Sequence, residues 1–558
     1  MILLRLKEFW ERQPDAMPTM YRRVRVRWVI DLDASGRFLD FVPLSGDQRR
    51  GTDRGRETLV PDLVVTSKPV PKLLVGNAEY VLGVGEHPRT AERHGLFRDL
   101  VHRCAEATRE PAVRAVANFL EEHDVSKKRL PPDAKDSDVY TFRVDGRFPV
   151  DLDSVRRFWA DYTARPGRPV MQCLICGRVG PVEDRLPAKV KGVPGGQMSG
   201  TSVISANAKA FESYGLEASL IAPTCRDCGE KFTNAIGLMI DAEQHHVRVG
   251  PSIFLFWTRQ PGGFSPVSFL SQPSPEDVAE LLASYRTGEQ PPPVEGDDFY
   301  ATVLTASGGR AVVRDWLETT VVTAKAHLAR WFRLQRIVGE WGEPPLPLGV
   351  FALSASLYLR SDQMVPNVAR SLVQCALRGG PLPDSLLAQA VDRNRAEQEV
   401  TRPRAALVKT VLLSQSDSGK EETYMQELDL SCKLPAYLCG RLLAELEAAQ
   451  RAAIPGAKAT IVDRFYGAAS AAPATVFGQL LRNAQPHLAK LRKEREPAFY
   501  AIDGRLQDIL QDLGEFPKTL NLKEQALFAL GYYHQRAANR AAALKAKKGR
   551  EHEDSEED

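Results

Sequence analysis

The stretch of sequence that decides the fold begins with Cys173-Leu-Ile-Cys176 and ends with Cys225-Arg-Asp-Cys228. Each pair has the two-residue spacing that lets both thiolates of a tight turn reach one tetrahedral zinc ion. The two pairs are separated by 48 residues, many more than in an ordinary zinc ribbon. We therefore expect a zinc clip, meaning two cysteine pairs that share one zinc ion, with a long insertion between them.

Two alternatives to the zinc clip are a reduced, idle pair and a pair of disulfides. Four other cysteines are scattered along the chain: Cys104, Cys375, Cys432 and Cys439. Disulfides are the weaker explanation, because they persist in oxidising compartments and the sequence shows no secretory signal. Four thiolates also leave no coordination position open for water, so the expected zinc is structural.

The insertion between the pairs is rich in glycine and basic. Its sequence includes Lys189-Val-Lys191, Gly195-Gly-Gln197-Met-Ser199-Gly-Thr201 and Ser205-Ala-Asn207. From Arg185 to Phe211 there are four Lys or Arg residues and no carboxylate. Such a loop can bring backbone N–H groups, hydroxyls and an amide close to phosphates without charge repulsion. The predicted partner is a polynucleotide.

Several stretches of the chain resemble one known family. They are Met1-Ile-Leu-Leu-Arg-Leu6, Gly76-Asn77-Ala-Glu-Tyr80, the run from Lys189 to Gly215, Ile461-Val-Asp463-Arg464-Phe-Tyr466-Gly467 and Gly531-Tyr-Tyr-His534-Gln535-Arg536. These stretches resemble the large subunit of the type I-C CRISPR Cascade, an RNA-guided DNA surveillance complex of antiviral defence. The similarity spans nearly the whole chain. The cysteine pairs are not part of it, so the metal is predicted from the residues alone.

The resemblance implies a role in DNA recognition. It implies a subunit at the end of the complex where the 5′ handle of the CRISPR RNA is held. Such a subunit detects the protospacer-adjacent motif in double-stranded DNA and supports duplex opening and R-loop formation. It also implies contacts with the other Cascade subunits and recruitment of a separate helicase-nuclease. In guided systems the protein reads the short motif and base pairing reads the rest.

The resemblance also suggests which residues contact DNA. Those expected to face base edges are Asn77, Gln197 and Ser199, those expected to hold phosphates are Lys72, Lys189 and Lys191, and the remaining loop candidates are Thr201 and Asn207. A glycine-rich main chain can enter a groove closely, and an inserted side chain can part the first base pair.

The competing function class is a metal-dependent, nucleic-acid-processing enzyme. Such an enzyme needs open metal coordination or a cluster of carboxylates and histidines. The sequence has no motif of that kind, and its close histidine pair, His245-His246, has no matching acidic motif. We therefore expect a binding protein and not an enzyme.

Length and composition are those of an ordinary globular protein. The 558 residues allow two to four domains, and a hydrophobic content of 43% suffices for buried cores. No apolar run approaches the roughly eighteen residues that cross a bilayer, and Arg5, Lys7 and Glu8 interrupt the place of a signal peptide. We expect a cytoplasmic protein without a membrane partner. The formal net charge of +3 favours no class of partner by itself.

The expected fold class is α+β, with a mixed N-terminal α/β region that carries the four-cysteine zinc clip and an all-α C-terminal helical bundle. Four regions are predicted: an N-terminal α+β region at 1–150, a four-cysteine and glycine-loop DNA-recognition region at 151–345, a helical connector at 346–422 and a helical bundle with an acidic tail at 423–558. Ser416–Glu422 is the predicted hinge before the bundle.

Two local patterns leave alternatives open. Near the N-terminus, apolar residues alternate with Arg23, Arg25 and Arg27, which predicts a strand with a guanidinium ladder that is either solvated or bound to phosphates. Further on, Ser307-Gly-Gly-Arg310 is expected to open a long helix over residues 311–338. That opening is either plain turn chemistry or a phosphate-binding helix N-terminus.

The predicted C-terminal bundle contains Met425 just after the hinge. By the resemblance, this portion is also made separately by internal translation and serves as a small subunit that lines DNA strands. Arg464, Arg482 and Lys490 are then expected to face single-stranded DNA.

Overall fold

The computed structural model of the chain describes residues 2–14, 16–18, 20–45, 55–61, 69–121, 130–131, 133–135, 137–163, 167–186, 188–260, 263–284, 297–416 and 425–556. The chain forms two compact units. Unit 1 comprises residues 1–189 and 204–235, and unit 2 comprises residues 190–203 and 236–558. The boundaries of the four predicted regions stay a prediction, and the predicted hinge lies almost wholly outside the described residues.

Unit 1 is a mixed α/β structure. Its elements are α1 (Ile2–Glu11), β1 (Tyr21–Val26), β2 (Trp28–Leu32), β3 (Phe38–Pro43), β4 (Arg56–Pro61), β5 (Val75–Asn77), α2 (Ala78–Val81), α3 (Thr90–Thr108), α4 (Pro111–Glu121), β6 (Val139–Val144), α5 (Asp153–Tyr162), β7 (Val170–Gln172), β8 (Val179–Pro181) and the first part of α6 (Arg226–Asp241).

A four-stranded sheet in the order β3-β2-β6-β5 forms the centre of unit 1. Strands β2 and β6 are parallel, and the outer pairs are antiparallel. Helices α3 and α4 contribute Phe97 and Phe119, whose rings lie 6.3 Å and 5.9 Å from that of Phe142 in β6. Burial of such aromatic rings supplies much of the hydrophobic stabilisation of a core.

The predicted arginine strand is divided in two by the structure. Strand β1 pairs with β4 in a separate two-stranded ribbon, and β2 begins after Arg27 and joins the central sheet. Arg22, Arg23 and Arg25 are exposed on β1. The guanidinium ladder therefore lies on a two-stranded ribbon and not on the face of the main sheet.

Unit 2 combines a sheet with many helices. Its elements, after the second part of α6, are β9 (His246–Val249), β10 (Ser252–Thr258), α7 (Val267–Ser271), α8 (Pro275–Ser284), β11 (Asp298–Ser307), β12 (Arg310–Thr320), α9 (Val321–Gln335), α10 (Val350–Ala355), α11 (Pro366–Arg378), α12 (Asp384–Glu397), α13 (Arg402–Ser414), α14 (Pro435–Ala453), α15 (Ile461–Ala471), α16 (Pro473–Glu494), α17 (Glu496–Leu513) and α18 (Leu522–Glu556).

The sheet of unit 2 is antiparallel, in the order β12-β11-β10-β9. Every residue of β10 is buried, as its continuous apolar run predicts for a strand covered on both faces. The predicted helix after Ser307 is wrong in its first part. Gly308 and Gly309 form the turn of the β11–β12 hairpin, and the helix begins only at Val321.

Beyond Leu346 the described residues contain helices and no strand. The fold class predicted from the sequence, an N-terminal α/β region, a cysteine cluster and a helical C-terminal part, is therefore confirmed. Met425 is buried in the core of unit 2, and the carbonyl of the next residue, Gln426, accepts a hydrogen bond from the Val338 amide. No helix in the described ranges is long and apolar enough to span a membrane.

Helices α14 and α18 of the bundle meet at two glycines. A methyl group on Gly440 would lie 2.0 Å from the Phe528 carbonyl oxygen, and one on Gly531 would lie 2.1 Å from the Tyr437 carbonyl oxygen. These distances are far below van der Waals contact. The two backbones therefore pack directly on each other, which is possible only because both positions lack a side chain.

A buried lysine connects α13 to the end of α9. The Lys409 ammonium is inaccessible to solvent and donates a hydrogen bond of 2.6 Å to the Arg336 carbonyl oxygen. Burial, with a smaller contribution from the Arg336 charge, lowers the pKa of Lys409 from 10.5 to about 7. Burial also lowers the pKa of neighbouring His534 to about 3, so this imidazole stays neutral above that pH.

This lysine makes the stability of unit 2 depend on pH. Between about pH 7 and 10.5 the unfolded chain binds a proton at Lys409 that the folded chain does not bind, so the unfolding free energy rises with pH in this window. Lys409→Met should remove that rise. Urea denaturation of both proteins at about pH 7 and about pH 9.5 gives their unfolding free energies. The unfolding free energy of the variant minus that of the parent protein should become smaller as the pH increases. A difference in unfolding free energy that is the same at both pH values would contradict the lowered pKa of Lys409.

Candidate functional site

The two cysteine pairs lie on two short local structures of unit 1. Cys173 follows strand β7, and its carbonyl accepts a hydrogen bond of 2.9 Å from the Gly177 amide as the chain turns back into β8. Cys225 precedes helix α6, and its carbonyl accepts from the Gly229 amide at 3.0 Å. Each pair therefore forms a tight turn that directs two sulfurs to one side.

The four sulfurs converge on one point. All four Sγ atoms lie within 4.8 Å of one another, and those of Cys176 and Cys225 are 3.9 Å apart. Two thiolates at about 2.3 Å from a tetrahedral zinc ion would lie roughly 3.8 Å apart, so the spacing fits such an ion. Each of the eight cysteines, all of which lie in the described ranges, is outside any disulfide, so the disulfide alternative receives no support. The four cysteines of the cluster could hold a metal ion.

The electrostatics of the cluster favour a thiolate. A hydrogen bond from the Cys228 thiol lowers the pKa of Cys225 to about 5, although burial acts in the opposite direction. The same hydrogen bond and burial raise the pKa of Cys228. At neutral pH one sulfur is therefore ionised before any metal binds, and thiolate is the form that coordinates zinc.

An ion-pair network lies beside the cluster. The buried Glu183 carboxylate is 2.5 Å from Arg168 Nη1 and 3.9 Å from Arg226 Nε, and Arg226 also pairs with Glu230 at 2.9 Å. The Glu183 amide donates to the Thr224 carbonyl, next to the second cysteine pair. This network holds the segment after β8 against the segment that leads into α6, which fixes the two pairs relative to each other.

The glycine-rich insertion closes into a loop that belongs to unit 2. Its base is a pair of backbone hydrogen bonds between Val190 and Thr201, at 2.7 and 2.8 Å. Beyond this base, the Ser202 amide donates to the Gly309 carbonyl at 2.8 Å, and the Ala311 amide donates to the Ser202 carbonyl at 2.9 Å. The loop therefore docks on the turn of the β11–β12 hairpin.

This docking sets the conformation of the loop tip. A methyl group on Gly309 would come within 3.3 Å of the Gln197 side-chain oxygen, and one on Gly196 would lie 2.8 Å from the Thr201 methyl. Gly196 is thus needed for the close approach, whereas at Gly309 the flexible Gln197 side chain can move aside. Gln197 and Ser199 are exposed, and Met198 between them is 99% exposed. The tip presents an amide, a thioether and a hydroxyl to solvent.

The other predicted loop residues differ in position. All three of the other polar candidates are exposed: Lys191 in unit 2, and Lys189 and Asn207 in unit 1. Thr201 is buried, and its hydroxyl donates to the Val190 carbonyl at 3.2 Å. Thr201 therefore closes the base of the loop and does not face a ligand, which corrects its predicted role as a DNA contact.

Lys72 precedes the short strand β5 in unit 1, and Asn77 is the last residue of that strand. The Lys72 ammonium lies 4.8 Å from the centre of the Tyr80 ring. Asn77 is the residue before helix α2, and its side-chain oxygen is buried without a hydrogen-bond partner among the described residues. Their contact with DNA stays a prediction.

The predicted single-strand contacts of the bundle are all on its surface. Arg464 is exposed on α15, and Arg482 and Lys490 are exposed on α16. The Lys490 ammonium lies 3.8 Å from the Glu494 carboxylate one turn later, a solvent-exposed pair of little energetic weight. Their contact with DNA stays a prediction.

Two residues near the loop tip, Met198 and Arg248, were missed by sequence reasoning, and Arg310 was named there only as the end of a turn. Met198 is the most exposed, Arg310 begins β12 beside the docked loop, and the Arg248 guanidinium lies 3.8 Å from where a methyl group on Gly192 would be. Both arginines come from strands distant in sequence, so only the fold reveals them. For Met198 the sequence did contain a signal, since an apolar residue among glycines and polar residues is unusual in a loop.

Histidines do not extend the metal site. His245 Nδ1 lies 2.9 Å from the Phe256 carbonyl, and His246 Nδ1 lies 3.1 Å from the Met239 carbonyl. Among the residues that the structure describes, the four cysteines are the one group of three or more His, Cys, Asp or Glu residues that could hold a metal ion.

Fold and site together define a two-unit α+β protein with a four-cysteine metal-type cluster and an exposed, basic, glycine-rich loop. Over residues 3–540 the chain matches the family described as CRISPR-associated protein (Cas_Csd1), and it therefore belongs to that family, the large subunit of the type I-C Cascade. The resemblance seen in the sequence is thereby confirmed. None of the curated proteins matches the chain.

Proposed function

We propose that this Cascade subunit recognises the protospacer-adjacent motif in double-stranded DNA and supports duplex opening. The observation that carries the proposal is the loop of residues 190–203, docked on the β11–β12 turn with Gln197, Met198 and Ser199 exposed at its tip. Neither residues 188–203 nor residues 299–314 contain a carboxylate. The tip is therefore suited to approach a polyanion closely.

Each group at the tip has a distinct role in this proposal. The Gln197 amide can donate to and accept from base edges, and Ser199 adds a hydroxyl. Met198 is an apolar side chain that can enter between base steps and unstack them, as wedge residues do. The positive charge for the flanking phosphates comes from Lys191, Arg248 and Arg310 of the same unit. Lys189 and Asn207 of unit 1 are proposed as DNA contacts by themselves.

The cofactor of this proposal is one zinc ion held by Cys173, Cys176, Cys225 and Cys228. A four-thiolate site is closed, so the ion stabilises the fold and does not activate water. The subunit is accordingly proposed to bind nucleic acid without catalysing a reaction. Cleavage then belongs to the helicase-nuclease that the complex recruits.

Other partners follow from membership in the complex. As a Cascade subunit, the chain is expected to associate with other Cascade components. CRISPR RNA is a further proposed partner, and the exposed Arg464, Arg482 and Lys490 are proposed to contact single-stranded DNA. Separate synthesis of a fragment from Met425 stays a prediction. Such a fragment would lack the Val338 amide, which in the full chain donates to the carbonyl of the residue after this methionine.

The test of motif reading compares closed and opened DNA. In gel shifts with guide-loaded complex, Gln197→Ala should weaken binding to duplex target with the correct motif by about 10- to 100-fold, the cost of one lost base contact. Met198→Ala should weaken the same binding by about tenfold. Both variants should bind a target with pre-opened strands almost as tightly as the parent protein does, because no base pair has to be parted.

Two controls make the test specific. Met198→Leu keeps an apolar side chain of similar size and should retain opening, whereas Lys191→Gln should weaken binding to every sequence and make it less dependent on salt. Randomised flanking bases identify the motif in the same experiment. Equal losses on opened and closed DNA would show that the loop does not read the motif.

A further inference from the structure

A cavity of about 290 Å³ lies in unit 2 between helix α8, the end of helix α9 and the proline-rich segment 344–347. Its apolar walls include Val278, Leu282 and Ala283 of α8, Phe332 of α9, and Pro345 and Pro347. Pockets for small molecules begin at about 300 Å³ and are lined mostly by apolar side chains with a few polar groups. The size and the lining of this cavity are therefore those of a small-molecule site.

The wall opposite the two helices is stiff. Three of the four residues at 344–347 are prolines, whose rings fix the backbone angle φ. The Arg402 guanidinium donates a hydrogen bond to the Leu346 carbonyl oxygen within this wall. Just after it, a methyl group on Gly349 would lie 2.1 Å from the Ser271 carbonyl oxygen, so the backbone is packed closely there. Because the wall is stiff and held in place, the cavity is preformed, which lowers the cost of binding a ligand.

Gln335, the last residue of α9, supplies a hydrogen-bond donor at the cavity. It lines the cavity and is only 2% exposed. Its side-chain oxygen accepts a hydrogen bond of 2.8 Å from the Leu348 amide, which fixes the orientation of the side-chain amide. Its side-chain nitrogen is buried and has no acceptor among the residues that the structure describes. A buried donor without an acceptor is costly, so a ligand that supplies the acceptor is stabilised there.

Arg336, the next residue, adds a positive charge. It also lines the cavity, is half-buried and forms no ion pair with any described residue. Its backbone carbonyl accepts the hydrogen bond from the buried Lys409 ammonium. Burial is the first cause that lowers the pKa of Lys409, and the charge of Arg336 lowers it further. An anion in the cavity would therefore pair with Arg336 and reduce the repulsion between the two cations.

The two polar groups together indicate the chemistry of the ligand. One cation and one neutral donor match a carboxylate, which has one negative charge and two oxygens that accept hydrogen bonds. A phosphate group carries more charge and more oxygens than these two donors can satisfy, and every other residue that lines the cavity is apolar. The apolar walls require an apolar body attached to the carboxylate.

We propose that this cavity binds a small carboxylic acid, with Arg336 and Gln335 holding its carboxylate and its apolar body lying between α8 and the proline-rich segment. At about 30 Å³ per atom, the volume accommodates roughly ten non-hydrogen atoms. Aliphatic and aromatic acids share this chemistry, and the experiment below distinguishes them. The site is separate from the zinc clip and the glycine loop, and the proposal does not depend on motif reading.

The test is isothermal titration calorimetry with the purified full-length chain. The test compounds are octanoate, 3-phenylpropionate and the neutral alcohol 1-octanol. The better of the two acids should bind with a dissociation constant on the order of 0.1–1 mM. 1-Octanol should bind about tenfold more weakly than octanoate, because it lacks the charge that pairs with Arg336. The ratio of the two acid affinities identifies an aliphatic or an aromatic body.

Two variants test the polar groups. Arg336→Gln should weaken binding of the acid about tenfold and leave that of 1-octanol unchanged. Gln335→Glu keeps an oxygen for the Leu348 amide but places a carboxylate beside that of the ligand, so it should abolish binding of the acid. The matched control is Arg333→Gln, which removes a cation from the last turn of the same helix at a residue that does not line the cavity. It should leave the affinity for the acid unchanged.

A further variant fills the cavity. Ala279 is an exposed residue of α8 that lines it, so Ala279→Leu should prevent binding of all three compounds while the melting temperature stays close to that of the parent protein. Thermal melting of every variant verifies that unit 2 remains folded.

Two results would overturn the proposal. One is the absence of binding by either acid at about 5 mM, well above the expected dissociation constant. The other is an equal affinity of the acid for the parent protein and Arg336→Gln. A short peptide that ends in leucine is the last test compound. Tighter binding of this peptide than of either acid, lost in Arg336→Gln, would assign the cavity to the C-terminus of a protein and refute the small-molecule assignment.

Discussion

Cys225→Ser and Cys176→Ser will each reduce the zinc content of the purified chain from about one ion per chain to nearly none, and unit 1 will lose most of its stability. Four sulfurs within 4.8 Å of one another form a complete ligand set, and removal of one leaves an incomplete tetrahedron. Structural zinc contributes roughly 10 kcal/mol or more of binding free energy in small metal-stabilised folds, and that energy is coupled to folding. Metal analysis and thermal melting measure both effects.

The four other cysteines supply a matched control for this experiment. Cys104→Ala alters a buried cysteine of the same unit that lies outside the cluster, so it should keep its zinc while losing some packing energy. Cobalt substitution adds a reading that does not depend on stability, because tetrahedral thiolate coordination gives intense visible absorption. A zinc-free chain that melts like the zinc-loaded chain would refute the clip.

The second large effect is expected at the crossing of α14 and α18. Gly531→Ala and Gly440→Ala should each destabilise the bundle by about 3 kcal/mol or more. The reason is that the added methyl group meets a backbone carbonyl oxygen at 2.1 or 2.0 Å. Neither oxygen can move without separating two long helices. Thermal unfolding followed by circular dichroism should show a midpoint lower by roughly 10 °C.

The bundle contains its own control for that substitution. Gly504 lies in helix α17, and a methyl group there would meet no atom within 4 Å. Gly504→Ala should therefore stabilise the helix by about 0.5–1 kcal/mol, since alanine has the higher helix propensity. The same chemical change should thus have opposite signs at Gly531 and Gly504. Similar melting temperatures for the two variants would show that the helices can move apart at little cost.

The cysteine cluster could be predicted because its information is local. Two cysteines separated by two residues lie on one tight turn. Two such turns form a four-sulfur site whenever they come together, whatever the length of chain between them. The buried strand β10 could be predicted for the same reason, since its continuous apolar run suits a strand covered on both faces. These features depend on a few neighbouring residues.

The composition of the loop site could not be predicted in full, because its parts come from separate segments. Ser202 pairs with the backbone beside Gly309, which is distant in sequence, and no local pattern specifies such a bridge. The helix expected over residues 311–338 was wrong in its first part, because the apolar residues after Arg310 suit both the helical and the strand period. Pairing with β11 along its whole length decides for a strand.

The division of the chain into units has a consequence for how the protein can be cut. Because residues 190–203 fold with the second unit while the chain on both sides folds with the first, no single cleavage yields two complete parts. A fragment that begins at Ile236 would retain the β11–β12 turn but lack Ser202, which hydrogen-bonds to it. Proteolysis between the two units would therefore separate the β11–β12 turn from the chain segment that pairs with it.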